Sequence, residues 1–243
     1  MVESKGTRMT GNPIEKSAGI IAIDGSAGTG KSSIAKKLAT TLDWDYLETG
    51  ALYRGVALLM EREGLGHNKS SAVSSALRMK FDSRLTSLGW KNFINEEDVT
   101  DLLRQEKISE LASLISADKS LRSVLLDYQR KFGRDKGAVL EGRDIGTVVF
   151  PSAQLKFYFD ADEDVRIQRR LKELEENNQE QDLQYVSLQL KNRDDRDRTR
   201  VDSPLRRSED SILVDTTEKT LDEVFKFVFG KVKKHLVFLN NSL

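Results

Sequence analysis

Residues 19–32 read Gly-Ile-Ile-Ala-Ile-Asp-Gly-Ser-Ala-Gly-Thr-Gly-Lys-Ser. The run Gly19–Asp24 is apolar on consecutive residues, as expected of a strand covered on both faces. Gly25–Ser32 then fits G-x-x-x-x-G-K-[ST] in full, and Ile34, Ala35, Leu38, Ala39 and Leu42 recur behind it at helical spacing. A glycine-rich turn could open a helix by chance, but this one has a strand before it and a periodic helix after it. Glycines let the backbone wrap a polyphosphate closely, with successive N–H groups pointing inward. The helix N-terminus adds partial positive charge. Lys31 can reach the outer phosphates, and the Ser32 hydroxyl can ligate Mg²⁺. The segment Gly25, Ser26, Ala27, Gly28, Thr29, Gly30, Lys31, Ser32 and Ser33 is therefore expected to hold a nucleoside triphosphate. Asp24, just ahead of it, either caps and orients the loop backbone or takes part in catalysis.

Working outward, four more short segments read as strands: Trp44–Glu48, Ala138–Glu141, Leu155–Asp160 and Ile212–Asp215. Helical patterns lie between them. Leu121, Val124, Leu125, Tyr128 and Phe132 form one stripe, with Gly133 as its stop. Leu221, Val224, Phe225, Val228 and Val232 form another, opened by the capping-box pair Thr220 and Glu223. Strands alternating with helices predict a parallel α/β sheet. Two stretches break the alternation. Residues 65–107 read as an insertion after the second strand, built as a small strand-and-helix appendage. Residues 177–211 are polar and read as helix plus mobile loop.

Composition narrows the possibilities. Basic and acidic residues number 39 each in a chain of 243, so the net charge is zero. A generally basic protein that coats nucleic acid is excluded, and any anion site must be a local cluster. There is no Cys and there are only two His, His67 and His235. Thiol chemistry, thiolate metal sites and a His-based triad drop out. No apolar run is long enough to span a membrane. The polar first 18 residues lack a secretory signal's apolar core and read as a flexible leader. The remainder, 19–243, is expected to be one domain of a soluble cytoplasmic protein.

Three further motifs carry cations. Glu48-Thr-Gly-Ala-Leu-Tyr-Arg54 follows the second strand, and Glu141-Gly-Arg-Asp-Ile-Gly-Thr-Val-Val-Phe-Pro151 begins at the end of the third. In an open α/β sheet ligands sit outside the carboxyl ends of strands, so both can face the triphosphate loop. Arg193-Asp-Asp-Arg-Asp-Arg-Thr-Arg200 packs four Arg and three Asp into eight residues. By spacing alone this last segment suits a solvated helix laced with (i, i+4) ion pairs such as Arg193–Asp197. Arg54 suits an exposed helix charge as well as it suits a ligand. Asp144, behind a buried strand, has a metal role like that of a Walker-B acid open to it. Arg166, Arg169 and Arg170 either approach triphosphate phosphates or form a charged helix face.

Together with the Leu121–Arg130 stretch and Leu213-Val-Asp-Thr-Thr217, these motifs identify a resemblance. From about Ile20 to Val228 the sequence resembles the bacterial cytidylate kinases. It departs at Glu48, where the family commonly has Asp, and at Ser32-Ser33, where many members have Gly-Thr or Ser-Thr. The resemblance implies a P-loop five-stranded parallel sheet flanked by helices, with a monophosphate-binding insertion at 65–107 and a lid near 177–210. It implies transfer of the γ-phosphoryl group of ATP to CMP or dCMP, with Mg²⁺, by a monomer that binds neither nucleic acid nor membrane. Such a transfer asks the protein mainly to gather two anions and stabilise the moving charge, for which no general-base His is needed.

The resemblance also implies roles. Lys31, Arg143, Arg193 and Arg200 would stabilise the transferring group, and Arg54 and Arg143 would grip the acceptor phosphate. Asp144, Arg122 and Ser113 would read the base. Arg193 and Asp197 would touch the ribose hydroxyls, and Thr49 completes the acceptor site. Rival expectations are another small P-loop kinase acting on UMP, AMP or a hydroxyl compound, a nucleotide-dependent RNA or DNA binder, and a non-catalytic nucleotide-binding protein.

Overall fold

The computed structural model describes residues 19–66, 68–132 and 137–240, with side chains as far as 236. The leader 1–18, His67 and the expected stop at Gly133 lie outside the described residues. The elements in order are β1 (Ile20–Gly25), α1 (Lys31–Leu42), β2 (Asp45–Glu48), α2 (Thr49–Arg62), α3 (Lys69–Arg78), β3 (Phe81–Thr86), β4 (Gly89–Ile94) and β5 (Glu97–Asp98). Then come α4 (Glu106–Ile115), α5 (Lys119–Lys131), β6 (Ala138–Gly142), β7 (Leu155–Asp160), α6 (Glu163–Glu176), α7 (Leu183–Thr199), β8 (Ile212–Asp215) and α8 (Leu221–Asn240).

The sheet order is β2-β6-β1-β7-β8, all parallel. Period two divides each strand between two cores. In β1, Ile21 and Ile23 join α1 and α8, with Phe157, Phe159, Val224 and Val228. Ala22 faces the opposite way, toward a larger core of α2, α4 and α5 that includes Leu52, Val56, Leu111 and Leu125. Fully burying each Ile stabilises by roughly 1.5–3 kcal/mol. All five expected strands are present. The first three differ at their ends by one residue: β1 starts at Ile20 and runs to Gly25, β2 starts at Asp45, and β6 reaches Gly142. The first extension occurs because Gly25 still pairs with Phe159 of β7.

The sheet reverses direction of winding at β1, with β6 on one side and β7 on the other. The loop after β1 therefore opens at the switch point, where α/β ligands collect. Between β2 and β6, residues 81–98 form a separate antiparallel sheet β3-β4-β5. Trp90 of β4 fastens it to the main body. Its indole N–H donates to Thr40 Oγ1 at 2.9 Å, and its ring meets Tyr46 edge-on at 5.4 Å.

Helices α6 and α7 share a small core of their own, Ile167, Leu174, Val186 and Leu190. Of residues 177–211, which the sequence reads as helix plus mobile loop, α7 covers 183–199 and is capped by Asp182, which accepts from the Gln184 N–H at 2.7 Å. Ahead of α8 the capping box is present: the Thr220 N–H donates to Glu223 at 2.8 Å, and the Glu223 N–H donates back to Thr220 Oγ1 at 3.3 Å.

Candidate active site

The loop between β1 and α1 is shaped by two close approaches. A Cβ on Gly25, at φ +147°, would sit 2.1 Å from the Phe159 carbonyl oxygen. One on Gly28, at φ +76°, would sit 2.9 Å from that of Arg166. Only glycine lets the loop lie this flat on β7 and α6. Helix α1 opens behind Gly30 with no side-chain cap, so its first N–H groups are left for a ligand. Lys31 folds back along the loop, its Nζ donating to the Ser26 carbonyl at 2.5 Å and lying 3.3 Å from Thr29 Oγ1. Burial, then repulsion from Arg143, lowers its pKa to about 7. Ser26 Oγ is buried without a partner, and Ser33 is exposed.

Asp24 accepts the backbone N–H groups of Ile145 and Gly146, each at 2.7 Å. It therefore fixes the turn after β6, not the loop it precedes. Burial drives its pKa up to about 7 against those two hydrogen bonds. Ser32 Oγ donates to Glu141 Oε1 at 2.5 Å, and the Tyr46 hydroxyl donates to the same oxygen at 3.3 Å. Burial, then Glu48, raises the Glu141 pKa.

Of the three arginines after β7, two turn toward the loop. Arg166 donates to the Ala27 carbonyl at 3.3 Å and to Asp194 of α7 at 2.6 Å. Arg169 donates to the Gly28 carbonyl at 3.4 Å and to Thr216 Oγ1 at 3.0 Å. Arg170 pairs with Glu106 and Glu173 instead.

Beside the loop, at the carboxyl ends of β2 and β6, lies a cavity open to solvent. Thr49, Arg54, Ser113, Arg122, Arg143, Asp144, Arg193, Asp197 and Arg200 all line it. They come from α2, α4, α5, the turn after β6, and α7 with its C-cap. Thr49 donates to the Glu141 carbonyl at 2.9 Å, which ties the start of α2 to β6.

Carboxylates alternate with arginines around the wall. Arg122 donates to Asp144 at 2.5 Å, Arg200 lies 3.7 Å from both Asp144 and Asp197, and Arg143 donates to Asp197 at 2.7 Å. Burial alone would raise the pKa of Asp197, but Arg143, Arg193 and Arg200 outweigh it and hold it low. The (i, i+4) pair Arg193–Asp197 expected from spacing does not form, because Arg143 reaches Asp197 from across the cavity. Arg193 is left with no hydrogen-bond or ion-pair partner among the described residues. Burial, then Arg143, lowers its pKa to about 10. Asp197 attracts it, but burial and Arg143 outweigh that attraction, and a crowded cation with no direct partner is a group suited to meet an anion. Ser113 Oγ and the Nε atoms of Arg54 and Arg122 are likewise buried without partners.

Tyr53, Ser109, Ala112 and Ser116 also line the cavity and were absent from the sequence-based set. Tyr53 stands in the motif beside Arg54. Ser109, Ala112, Ser113 and Ser116 repeat at i, i+3, i+4 and i+7, a stripe of small residues that marks one face of α4.

Comparison with known proteins identifies the family of the chain. The family model described as Cytidylate kinase matches residues 21–234. The cytidylate kinase of Coxiella burnetii is 38% identical over 226 residues, covering 92% of this chain and 95% of the relative. That of Caldanaerobacter subterraneus is 40% identical over 215 residues, covering 88% and 95%. That of Exiguobacterium sibiricum is 41% identical over 206 residues, covering 84% and 92%.

Proposed function

The chain belongs to the cytidylate kinase family, and from that premise we propose that its P-loop holds ATP while the adjoining arginine-lined cavity holds CMP or dCMP. It is a nucleoside monophosphate kinase that phosphorylates (d)CMP with ATP as donor. The observation that best supports this use of the cavity is Arg193, a crowded guanidinium without a partner between the P-loop lysine and the acidic wall.

In this reading Lys31 leaves the Ser26 carbonyl for the outer phosphates of ATP, and the uncapped N-terminus of α1 carries their remaining charge. Arg54 and Arg143 take the acceptor phosphate with paired donors. Arg193 and Arg200 stand where charge spreads during transfer, and Arg193 and Asp197 also hold the ribose. At the far end Asp144 accepts from the cytosine amino group while Arg122 and Ser113 donate to its acceptor edge.

The residues beside Ser32 fit a magnesium ion. A hydroxyl and the Glu141 carboxylate lie together, and among the described residues no cluster of three or more acidic, His or Cys side chains forms a cage. Magnesium keeps several waters and takes other ligands from phosphates, so this sparse donor set suits it. Bound there, the ion would neutralise charge on the ATP phosphates. Ser32 would ligate it and Glu141 would orient its water.

Residues 65–107 are read as the monophosphate-binding insertion and 177–210 as the lid. Helix α7 and its C-cap carry Arg193, Asp197 and Arg200 into the cavity, so movement of this segment would carry them with it. Its closure would exclude water and suppress hydrolysis. We read the protein as a cytoplasmic monomer whose partners are nucleotides. Among the described residues no helix is long and apolar enough to cross a membrane.

The deciding experiment offers ATP, Mg²⁺ and each common nucleoside monophosphate in turn. CDP from CMP, with little product from UMP or AMP, is the expected result. No CDP overturns the proposal.

A further inference from the structure

One charged group just behind the wall of the acceptor cavity, next in sequence to Thr49, has no part in the scheme above. Glu48 closes β2, and its carboxylate pairs with Nη2 of Arg54, six residues on in α2. Both side chains are largely covered, 19% and 14% exposed. Burial alone would push the Glu48 carboxyl up, but Arg54, then Lys36, outweigh it and hold its pKa at about 2.

Glu141 is the register partner of Glu48 on β6. The two carboxylates at these neighbouring strand ends divide their contacts. Glu141 accepts from Ser32 and Tyr46, on the P-loop side. Glu48 takes Arg54, on the acceptor side. Arg54 keeps its Nε buried and without a partner. A guanidinium is a rigid plane, so anchoring one nitrogen fixes where the other donors point. Without Glu48 the remaining carboxylate that attracts Arg54 is Glu141, which already acts on it electrostatically.

We propose that Glu48 is a positioning residue for the acceptor phosphate: it grips one nitrogen of Arg54 so that the remaining donors face the phosphate of CMP. This rests on Arg54 being a phosphate ligand. Glu48 touches no reacting atom and acts through Arg54 alone. Its removal therefore weakens acceptor binding and spares the ATP side.

The test is steady-state kinetics of the full chain with CMP and ATP varied separately. The variants are Glu48→Gln, Glu48→Asp, Arg54→Met and the double Glu48→Gln/Arg54→Met. Glu48→Gln is expected to raise KM for CMP about tenfold, the low end for losing a charge-assisted hydrogen bond, because the amide oxygen still accepts from Arg54. kcat and KM for ATP should stay within about threefold of the parent. Glu48→Asp, with the charge on a shorter arm, should fall between parent and Gln variant. In the Arg54→Met background, Glu48→Gln should change KM for CMP no further.

A folded Glu48→Gln protein with parental or lower KM for CMP overturns the inference, and so does an undiminished effect in the double variant. If Glu48→Gln does not fold, Glu48→Asp decides: a rise of about threefold in KM for CMP supports the positioning role, and a parental value overturns it. If Arg54→Met leaves KM for CMP unaltered, the fault lies with the acceptor-site reading itself.

Discussion

Asp144→Asn removes one negative charge from the base end of the cavity and preserves its shape. A carboxylate there can only accept a hydrogen bond, so it suits the amino group of cytosine and repels the carbonyl that uracil presents at the same point. An amide can turn either its oxygen or its nitrogen inward and suits both bases. A hydrogen bond to a charged group contributes about 1.5–3 kcal/mol, so the preference for CMP over UMP should fall by about 10- to 150-fold.

Stability changes as well. Asp144 lies 2.5 Å from Arg122 and 3.7 Å from Arg200, and the three side chains are 9%, 10% and 7% exposed respectively. Breaking a buried pair costs about 3–5 kcal/mol, and an amide that still accepts should reduce this to about 2 kcal/mol. For a chain of this size that is a fall in Tm of about 4–8 °C. The assay is competition between CMP and UMP at equal concentration, scored as CDP against UDP, with a thermal melt in parallel. A folded variant with an unchanged CDP/UDP ratio refutes the assignment of Asp144 to the base.

Three other outcomes are expected. Lys31→Ala should lower phosphotransfer by at least about 10²–10³-fold without lowering Tm, since this ammonium is already disfavoured by burial; near-parental turnover removes Lys31 from catalysis. Lys31 has a pKa of about 7 in the free protein, so above that pH it is largely neutral, and a bound polyphosphate raises it again. ATP binding at about pH 8 should therefore take up protons, measured by calorimetry in two buffers of different ionisation enthalpy, and zero uptake or release contradicts this. Asp194→Ala should strand Arg166, whose pair with Asp194 is only 6% exposed on each side, and lower Tm by about 10 °C. The double change Arg166→Met/Asp194→Leu should recover most of that loss, and equal melts for all three proteins would show that the pair carries no stability.

The five parallel strands were legible because strands buried on both faces spell themselves in consecutive apolar residues, as Ile20–Ile23 and Leu155–Phe159 do. The sheet β3-β4-β5 was harder to resolve. It is small and half solvated, and Asp82, Arg84, Lys91 and Asn92 dilute any alternation. The triphosphate loop was legible residue by residue because its chemistry constrains the backbone itself. The acceptor cavity depended on family resemblance, since its wall gathers single residues from five parts of the chain. Spacing put Arg193 with Asp197, and only the fold reveals that Arg143 competes for that carboxylate and takes it. Glu48 stood out in the sequence as a departure from the family's usual Asp, and its hold on Arg54 became visible only with α2 in place.

The seating of Trp90 gives the protein an optical handle. The chain has two tryptophans. Trp90 lies against Tyr46 and Thr40, and Trp44 stacks where a side chain on Gly137 would otherwise stand. Both indoles thus flank β2, and neither is on α6 or α7. Intrinsic emission should follow undocking of the β3-β4-β5 sheet from the main body. Motion of the α6–α7 pair should be dark to it, so a dye placed on α7 would separate the two movements in one cuvette.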